Sequence, residues 1–273
     1  MSKEQLQSWH KQRHLDVTGA QGDLSLIVMH DLTGETTVKQ IAGSWKPTNL
    51  SKPGLTLIAI AEDQLFIDGV LVEGTVNIIA DETIVKTSNG ISAMATSQPG
   101  SLHLLAIWDD NCSALQTFNH IDTYKWNEQA IYKGKLVKDD TRFEFSHTGD
   151  DNHVARSHES IGVIEVEIDG VQYALRPFQS GQYSIIIFRD ATSGNETYGM
   201  GRMLIIELLD DETVLLDFNK AFLPPCAFSP YFNCPMPPMS NRIQSKVEAG
   251  EKQIISLHCM HNEASKLVKK EKL

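Results

Sequence analysis

Short runs in which apolar and polar residues alternate recur along most of the chain. The runs occupy residues 24–30, 56–63, 64–69, 75–81, 82–89, 101–108, 162–178, 183–190, 201–210 and 213–218. Alternation with a period of two turns one face of a strand toward the core and the other toward solvent. Turn pairs such as Asp68-Gly69, Asn89-Gly90 and Asp169-Gly170 favour hairpins between neighbouring runs. The pattern therefore predicts a mainly β fold with an antiparallel sandwich-like or barrel-like architecture.

Residues 3–15 follow a different, helical period. Leu6, Trp9 and Arg13 fall on related turns, which predicts an amphipathic N-terminal helix. At the other end of the chain, the runs 242–248 and 252–258 predict a last strand pair joined by a turn at Gly250. We therefore expect the β fold to be preceded by one helix.

A polar stretch, FEFSHTGDDNHVARSHES at 143–160, predicts a connection between two β-rich halves. The expected domains are 1–145, which includes the helix, and 161–258, followed by a tail at 259–273. The spacing of His147, His153 and His158 beside Asp150 and Asp151 fits neither a rigid helix nor a strand. We interpret these residues as an exposed linker, and the stretch 120–122 (HID) as a surface turn.

Composition and charge narrow the classes of partner. The chain has 273 residues, 41% of them hydrophobic and 22% charged, as in ordinary globular proteins. A net charge of -11 argues against a nucleic-acid or anionic-membrane surface, and the apolar runs are too short to span a bilayer. The first residues contain no apolar signal core. We expect a cytoplasmic protein whose four cysteines are thiols or metal ligands.

The stretch 217–241, here named the Pro-Cys segment, reads DFNKAFLPPCAFSPYFNCPMPPMSN and holds six of the ten prolines. Prolines fix φ and remove backbone donors, so such a chain can form a rigid wall without regular hydrogen bonding. The default interpretation of Cys226 and Cys234 is two buried thiols that fill gaps. A disulfide between them, or a zinc site completed by Cys259 with His258 or His261, remains open.

Candidate chemistry lies beside this segment. The loop DATSGNETYGMGR at 190–202 is rich in glycine and small polar residues and ends in Arg202, whose planar fork suits a carboxylate or phosphate. Arg202 paired internally with Asp190 or Glu196 is the favoured alternative. In LLDFN, alternation places Asp217 and Asn219 on one face, where Asp217 would act as a general base or would anchor the irregular loop.

The second half resembles the domain-of-unknown-function 1684 (DUF1684) family, found in bacteria and archaea. The resemblance rests on the stretches FRDATSGNETYGMGRML (188–204), VLLDFNKAFLPPCAFSPYFNCPMPP (214–238), SNRI (240–243) and EAGEK (248–252). The Trp9-to-Arg13 helix extends it loosely into the first half. The family usually reads GAGR where this chain has GMGR, and AYNPPCA where it has AFLPPCA. The resemblance implies no reaction, because none is attached to the family.

These features predict a small-molecule pocket in the second half, bounded by the 190–202 loop and the Pro-Cys segment. Arg202 would bind an anionic group and Asp217 would be the candidate catalytic carboxylate. The other candidate ligand-binding residues are Asp190, Glu196, Tyr198, Asn219 and Asn241.

The class of function stays open at this point. The protein is an enzyme without a built-in metal, a non-catalytic ligand-binding β module, or a fold whose signature residues are purely structural. The sequence holds no dinucleotide fingerprint, P-loop, zinc-protease helix or nucleophile elbow. A flavin or another cofactor bound without a local motif remains open.

Overall fold

The fold consists mainly of antiparallel strands. The structure, a computed structural model, describes residues 3–139, 142–149 and 155–257. The longest helix is α1 (Lys3–Thr18). The described chain divides into two compact units. One is Leu15–Gln116, named the 15–116 unit. The other combines the described residues up to His14 with those from Thr117 onward and is named the signature unit.

The 15–116 unit contains two antiparallel sheets with one shared core. Its strands are β1 (Leu26–Asp31), β2 (Thr36–Val38), β3 (Ile41–Pro47), β4 (Gly54–Ala59), β5 (Phe66–Ile67), β6 (Val70–Leu71), β7 (Gly74–Ile79), β8 (Ile84–Lys86), β9 (Ile91–Gln98) and β10 (Ser101–Asp109). The strand orders are β1-β10-β9-β8-β5-β6 and β2-β3-β4-β7. Trp45 and Leu57 of the second sheet share one buried cluster with Leu105 of the first, so this unit is sandwich-like.

The short helix α2 (Ser113–Thr117) precedes the strands of the signature unit. They are β11 (Phe118–Thr123), β12 (Ile131–Lys138), β13 (Phe143–Ser146), β14 (Ala155–His158), β15 (Gly162–Ile168), β16 (Val171–Leu175), β17 (Phe178–Ser180), β18 (Tyr183–Phe188), β19 (Arg202–Ile205), β20 (Glu207–Leu208), β21 (Thr213–Asp217) and β22 (Glu251–Ser256). The strand orders are β16-β15-β12-β21-β20, β17-β18-β19, β13-β14 and β11-β22. Every pairing is antiparallel.

Strand β18 is buried on both faces, which explains its unbroken apolar run. Ile186 and Phe188 belong to one core cluster, whereas Ile185 and Ile187 belong to a second that includes Phe145 and Cys234. Successive side chains of a strand point to opposite faces, so a strand between two cores needs apolar residues at both. The run SIIIF therefore links the two cores of the signature unit.

Helix α1 buries the stripe that its period predicts. Leu6 and Arg13 are buried and Trp9 is partly buried, with the Trp9 ring edge-on to Phe222 at 6.3 Å between centroids. The buried arginine is tolerated because Glu251 pairs with it. No helix in the described part of the chain has the length and apolarity needed to cross a membrane.

The expectation of a mainly β, antiparallel fold with an N-terminal helix is confirmed. The three turn pairs do join paired strands, β5 to β6, β8 to β9 and β15 to β16. Each sheet of the described residues has two edge strands, so none of them closes into a barrel.

Three expectations about polar stretches are wrong. The described part of 143–160 forms the hairpin β13–β14, in which His147 and His158 are buried rather than exposed. His153, Asp150 and Asp151 lie outside the described residues. Residues 120–122 belong to strand β11 instead of a surface turn.

The run 242–248 forms no strand, and β22 pairs with β11 instead. Instead of a ladder, the run makes a few backbone bonds to Arg189 and Ala191. The side chains of Asp190 and Arg202 also bond its backbone at Val247. Strand β12, before the predicted domain boundary, pairs with β15 and β21 after it. The predicted tail 259–273 lies outside the described residues.

Candidate functional site

Arg202 and Asp190 form a buried ion pair at the centre of the signature residues. Arg202 Nη2 lies 3.4 Å from Asp190 Oδ1, and both side chains are excluded from solvent. Nη2 also donates to the carbonyl of Val247 at 2.8 Å, while Nη1 donates to the carbonyls of Ala249 and Glu251. Burial lowers the pKa of the Arg202 guanidinium, and Asp190 opposes that shift. The sequence predicts that the Arg202 guanidinium binds an external anion. In the structure it instead bonds the backbone that leads into β22.

Asp190 organises the 190–202 loop from within. Its carboxylate accepts hydrogen bonds from the Thr192 hydroxyl at 2.8 Å and from the Val247 N–H at 2.7 Å. Gly201, with a φ of +105°, closes the loop where a Cβ would stand 2.3 Å from the Phe188 carbonyl oxygen. The same holds at Gly250, where a Cβ would stand 2.4 Å from the Ala221 oxygen. The glycines of this region allow close backbone contact inside the fold.

Glu196 and Tyr198 point to different partners. Glu196 accepts from the Tyr124 hydroxyl at 2.9 Å and from Lys246 Nζ at 2.7 Å. Desolvation, with the adjacent Glu196 carboxylate, raises the pKa of Tyr124 to about 12. The Tyr198 hydroxyl donates to the Cys226 carbonyl at 3.1 Å, which fixes the turn Pro225–Ala227 of the Pro-Cys segment.

The side-chain amides of Asn219 and Asn241 each pair with a backbone residue, as a neighbouring strand would. The Asn219 amide accepts from the Asn127 N–H and donates to the Asn127 carbonyl, both at 2.8 Å. Asn241 makes the same pair of bonds with Arg176, also at 2.8 Å, and a third to the Ile187 carbonyl. Irregular backbone must satisfy its polar groups when buried, and an amide side chain presents the donor and acceptor of a peptide. We name these contacts the asparagine clamps.

Asp217 belongs to the first clamp. Its Oδ1 accepts from the Asn219 N–H at 3.1 Å and from the Asn219 side-chain amide at 2.9 Å. The contact holds the Asn219 amide in the orientation that Asn127 requires. The candidate catalytic carboxylate therefore has an orienting role in the described geometry.

The seven predicted site residues thus belong to distinct networks. Asp190 and Arg202 share one, Asp217 and Asn219 share a second, and Asn241, Glu196 and Tyr198 each bond other partners. Among the described residues, the hydrogen bonds of each of these side chains lead back into the protein rather than toward one common pocket.

Arg13 and Glu251 connect helix α1 to the start of β22. Arg13 Nε donates to Glu251 Oε1 at 3.0 Å, and the Leu223 N–H donates to Glu251 Oε2 at 2.7 Å. The Arg13 guanidinium also lies 5.0 Å from the centroid of the Phe222 ring. Arg202 Nη1 donates to the Glu251 carbonyl at 3.2 Å. This bond connects the Arg13–Glu251 ion pair to the Asp190–Arg202 network.

A cavity of about 250 Å³ opens beside this ion pair, and we name it the histidine cavity. Its lining includes His10, Lys11 and His14 from α1, His120 and Thr123 from β11, and Glu251 from β22. The i, i+4 spacing places His10 and His14 on one face of the helix. The β11–β22 pairing places His120 beside Ile255 on the adjacent strand.

The lining of the histidine cavity contains one lysine, three histidines and one carboxylate. Glu251 is its acidic residue, but Arg13 and the Leu223 N–H already engage both carboxylate oxygens. Lys11 and three imidazoles then remain along the lining. Burial lowers the pKa of His10, and Glu251 opposes that shift. His10 Nε2 is buried and has no hydrogen-bond partner among the described residues.

The sequence reasoning missed this cluster, although one signal was present. The predicted helix carried histidines four residues apart, at His10 and His14, which is a common spacing for side chains that act together. His120 gave no such signal, because its position beside α1 depends on the pairing of β11 with β22, strands far apart in the chain.

The signature residues of this β module bond mainly to other parts of the module. Arg202 holds the backbone that enters β22, the asparagine clamps hold two further backbone segments, and prolines stiffen the Pro-Cys segment. The model of the DUF1684 family of proteins of unknown function matches residues 116–252, and the chain belongs to this family. A solution NMR structure of the uncharacterized protein from gene locus rrnAC0354 of Haloarcula marismortui is similar, at 28% identity and a TM-score of 0.41. That match covers 50% of this chain and 77% of the other. Among curated proteins, no match is found.

Proposed function

We propose that the signature unit is a non-catalytic binding module for a small anionic molecule and that the ligand occupies the histidine cavity. The observation that carries the proposal is His10, a residue of the cavity lining whose Nε2 is buried and has no hydrogen-bond partner among the described residues. Buried polar groups in folded proteins are nearly always hydrogen-bonded, so a ligand that completes this contact is favoured.

Size and charge support the same ligand class. Ligand pockets for drug-sized molecules usually exceed about 300 Å³, so a cavity of about 250 Å³ suits a phosphate or a short carboxylate. Lys11 supplies positive charge and the histidines supply ring donors, whereas the Glu251 charge is balanced by Arg13.

In this proposal the family signature positions the site instead of contacting the ligand. Asp190 holds Arg202, Arg202 holds the backbone at Glu251, and Glu251 holds Arg13 on α1. The chain of contacts fixes the helix that carries His10. The candidate Arg202 therefore acts as a positioning residue here, whereas Asp217 orients Asn219 in a separate contact.

The test is calorimetric titration of the protein with inorganic phosphate and with succinate, at low salt. Lys11→Gln and His10→Gln remove charge or donors from the cavity and should weaken binding about tenfold, as expected for a lost charged hydrogen bond. Lys133→Gln is the matched control, since Lys133 is exposed on β12 outside the cavity. Absence of binding by the wild type, or equal affinities for Lys11→Gln and Lys133→Gln, contradicts the proposal.

A substrate panel separates the binding module from an enzyme. Phosphate esters and carboxylate esters are incubated with wild type and with Asp217→Asn. Binding without turnover by either protein supports the binding module. Turnover that disappears in Asp217→Asn, with ligand affinity unchanged, supports catalysis.

A further inference from the structure

Cys226 and Cys234 approach each other across the Pro-Cys segment. The backbone N–H of Cys226 donates to Cys234 Sγ at 3.3 Å. That nitrogen is three bonds from the sulfur of its own residue, so rotation about the Cα–Cβ bond carries Cys226 Sγ toward Cys234 Sγ. Both cysteines are thiols in the structure.

The backbone on each side is held in place. Cys234 exchanges two hydrogen bonds with Thr148, one from its N–H at 3.1 Å and one to its carbonyl at 3.0 Å. Cys226 lies in the short turn Pro225–Ala227, where Pro224 and Pro225 fix φ and Tyr198 holds its carbonyl at 3.1 Å. A disulfide needs two residues within reach of each other with little backbone movement, and the 3.3 Å approach of the Cys226 nitrogen to Cys234 Sγ brings these two anchored residues together.

The two thiols differ in access. Cys226 is partly exposed, whereas Cys234 is 5% exposed and packs in the core cluster with Phe145 and Ile187. The Tyr198 hydroxyl lies 3.9 Å from Cys226 Sγ, where it can donate to a thiolate. The accessible thiol beside a donor is the one that reacts first.

We propose that Cys226 and Cys234 are a redox-active pair, oxidised to an intramolecular disulfide by small disulfides such as oxidised glutathione. The Cys226 thiolate attacks one sulfur of the small disulfide, breaks its S–S bond and releases one thiol, leaving a mixed disulfide on Cys226. The Cys234 thiolate then attacks Cys226 Sγ and displaces the second thiol. Two electrons pass to the small disulfide, and the two thiol protons leave on the released thiols.

The test is made on the full chain without denaturant. Reduced protein is incubated with oxidised glutathione, quenched with an alkylating agent and digested with trypsin. Both cysteines fall in the tryptic peptide 221–242. We expect this peptide to lose two hydrogens and to escape alkylation, while Cys112 and Cys259 stay alkylated in their own peptides. Alkylation of both Cys226 and Cys234, a disulfide to Cys259, or formation of the bond only in urea overturns the proposal.

Single variants test the order of the two steps. Cys234→Ser should accumulate glutathione on Cys226, because the resolving thiol is gone. Cys226→Ser should react at least about tenfold more slowly, since its remaining thiol is buried. Equal rates of glutathione capture by the two variants contradict the assigned order. Mapping of the wild-type protein still decides the disulfide itself, even where a variant is unstable.

Discussion

Arg202 Nη2 lies 3.4 Å from Asp190 Oδ1, and neither side chain reaches solvent. The pair connects the 190–202 loop to the chain that enters β22, because Asp190 also accepts from Val247 and Arg202 also donates to the carbonyls of Ala249 and Glu251. Removing only one residue of such a buried pair should strongly lower the free energy of unfolding, because the other charge then stays buried without its partner.

The first prediction concerns loss of Arg202. Arg202→Met leaves the Asp190 carboxylate buried and should lower the free energy of unfolding by about 3–5 kcal/mol. Lys246→Met removes one side of an exposed ion pair with Glu196 and should cost less than about 1 kcal/mol. Urea denaturation at neutral pH measures both. Equal losses of unfolding free energy in the two variants would show that the buried pair stabilises the fold no more than the exposed pair does.

The asparagine clamps give a second prediction. Asn241→Ala leaves the N–H and carbonyl of Arg176 and the carbonyl of Ile187 without the contacts they now make. The free energy of unfolding should fall by at least about 2 kcal/mol, since each buried group left unsatisfied is costly. Asn195→Ala, at an exposed loop position, should stay within about 0.5 kcal/mol of wild type. Thermal and urea unfolding of the two variants provide the comparison.

The stacked pair His147–His158 makes stability depend on pH. Their Nε2 atoms are 2.8 Å apart, and His147 Nδ1 lies 2.9 Å from the Asn233 carbonyl oxygen, to which it donates. Burial, together with His147 and with Arg156 and Arg142, lowers the pKa of His158 from 6.5 to about 4. Between these pH values the unfolded state binds more protons at this residue than the folded state does. Stability should be full above pH 6.5 and should fall as the pH drops toward 4.

The measurement is the urea midpoint across this pH range for wild type and His158→Phe. Phenylalanine suits a site that already borders Phe145 and Phe178. Carboxylates titrate in the same range in both proteins, so the difference between the two curves reports His158. The wild-type curve should be the steeper one, and parallel curves would contradict the assigned pKa.

The proposed anion site also predicts a pH effect, with the opposite sign. His10 belongs to the cavity lining, and its protonation adds positive charge beside the ligand. Succinate should therefore bind more tightly as the pH falls from about 8 to about 6. Because burial lowers the pKa of His10, its share of the effect should appear at the acidic end. An affinity that is constant over this range counts against the site.

Local chemistry explains which elements the sequence could predict. The hairpins at Asp68-Gly69 and Asp169-Gly170 were found because the turn residues lie between their strands. Strand β9 was missed because ISAMATSQ is rich in small residues that hide the alternation. The run 242–248 alternates as a strand should, but its backbone bonds the backbone of Arg189 and Ala191 and the side chains of distant residues. No pattern within the run records these distant partners.

In the candidate site, too, contacts within one loop could be predicted from the sequence and contacts between distant segments could not. Pairing of Arg202 with Asp190 or Glu196 was the favoured alternative from sequence, since all three residues belong to one loop, and the structure shows the pair with Asp190. The clamp partners Asn127 and Arg176 were not predicted, because they lie 92 and 65 residues from Asn219 and Asn241. Distant pairings depend on the whole topology, which a single sequence pattern does not contain.

Arg13 and Glu251 are separated by 238 residues, yet their ion pair anchors helix α1. A ribosome makes the helix early and its partner only after nearly all of the described chain has been translated. The 15–116 unit has its own core and can fold during that interval. We therefore expect α1 to stay undocked through most of translation. During that time Trp9 and Arg13 are accessible to chaperones and proteases.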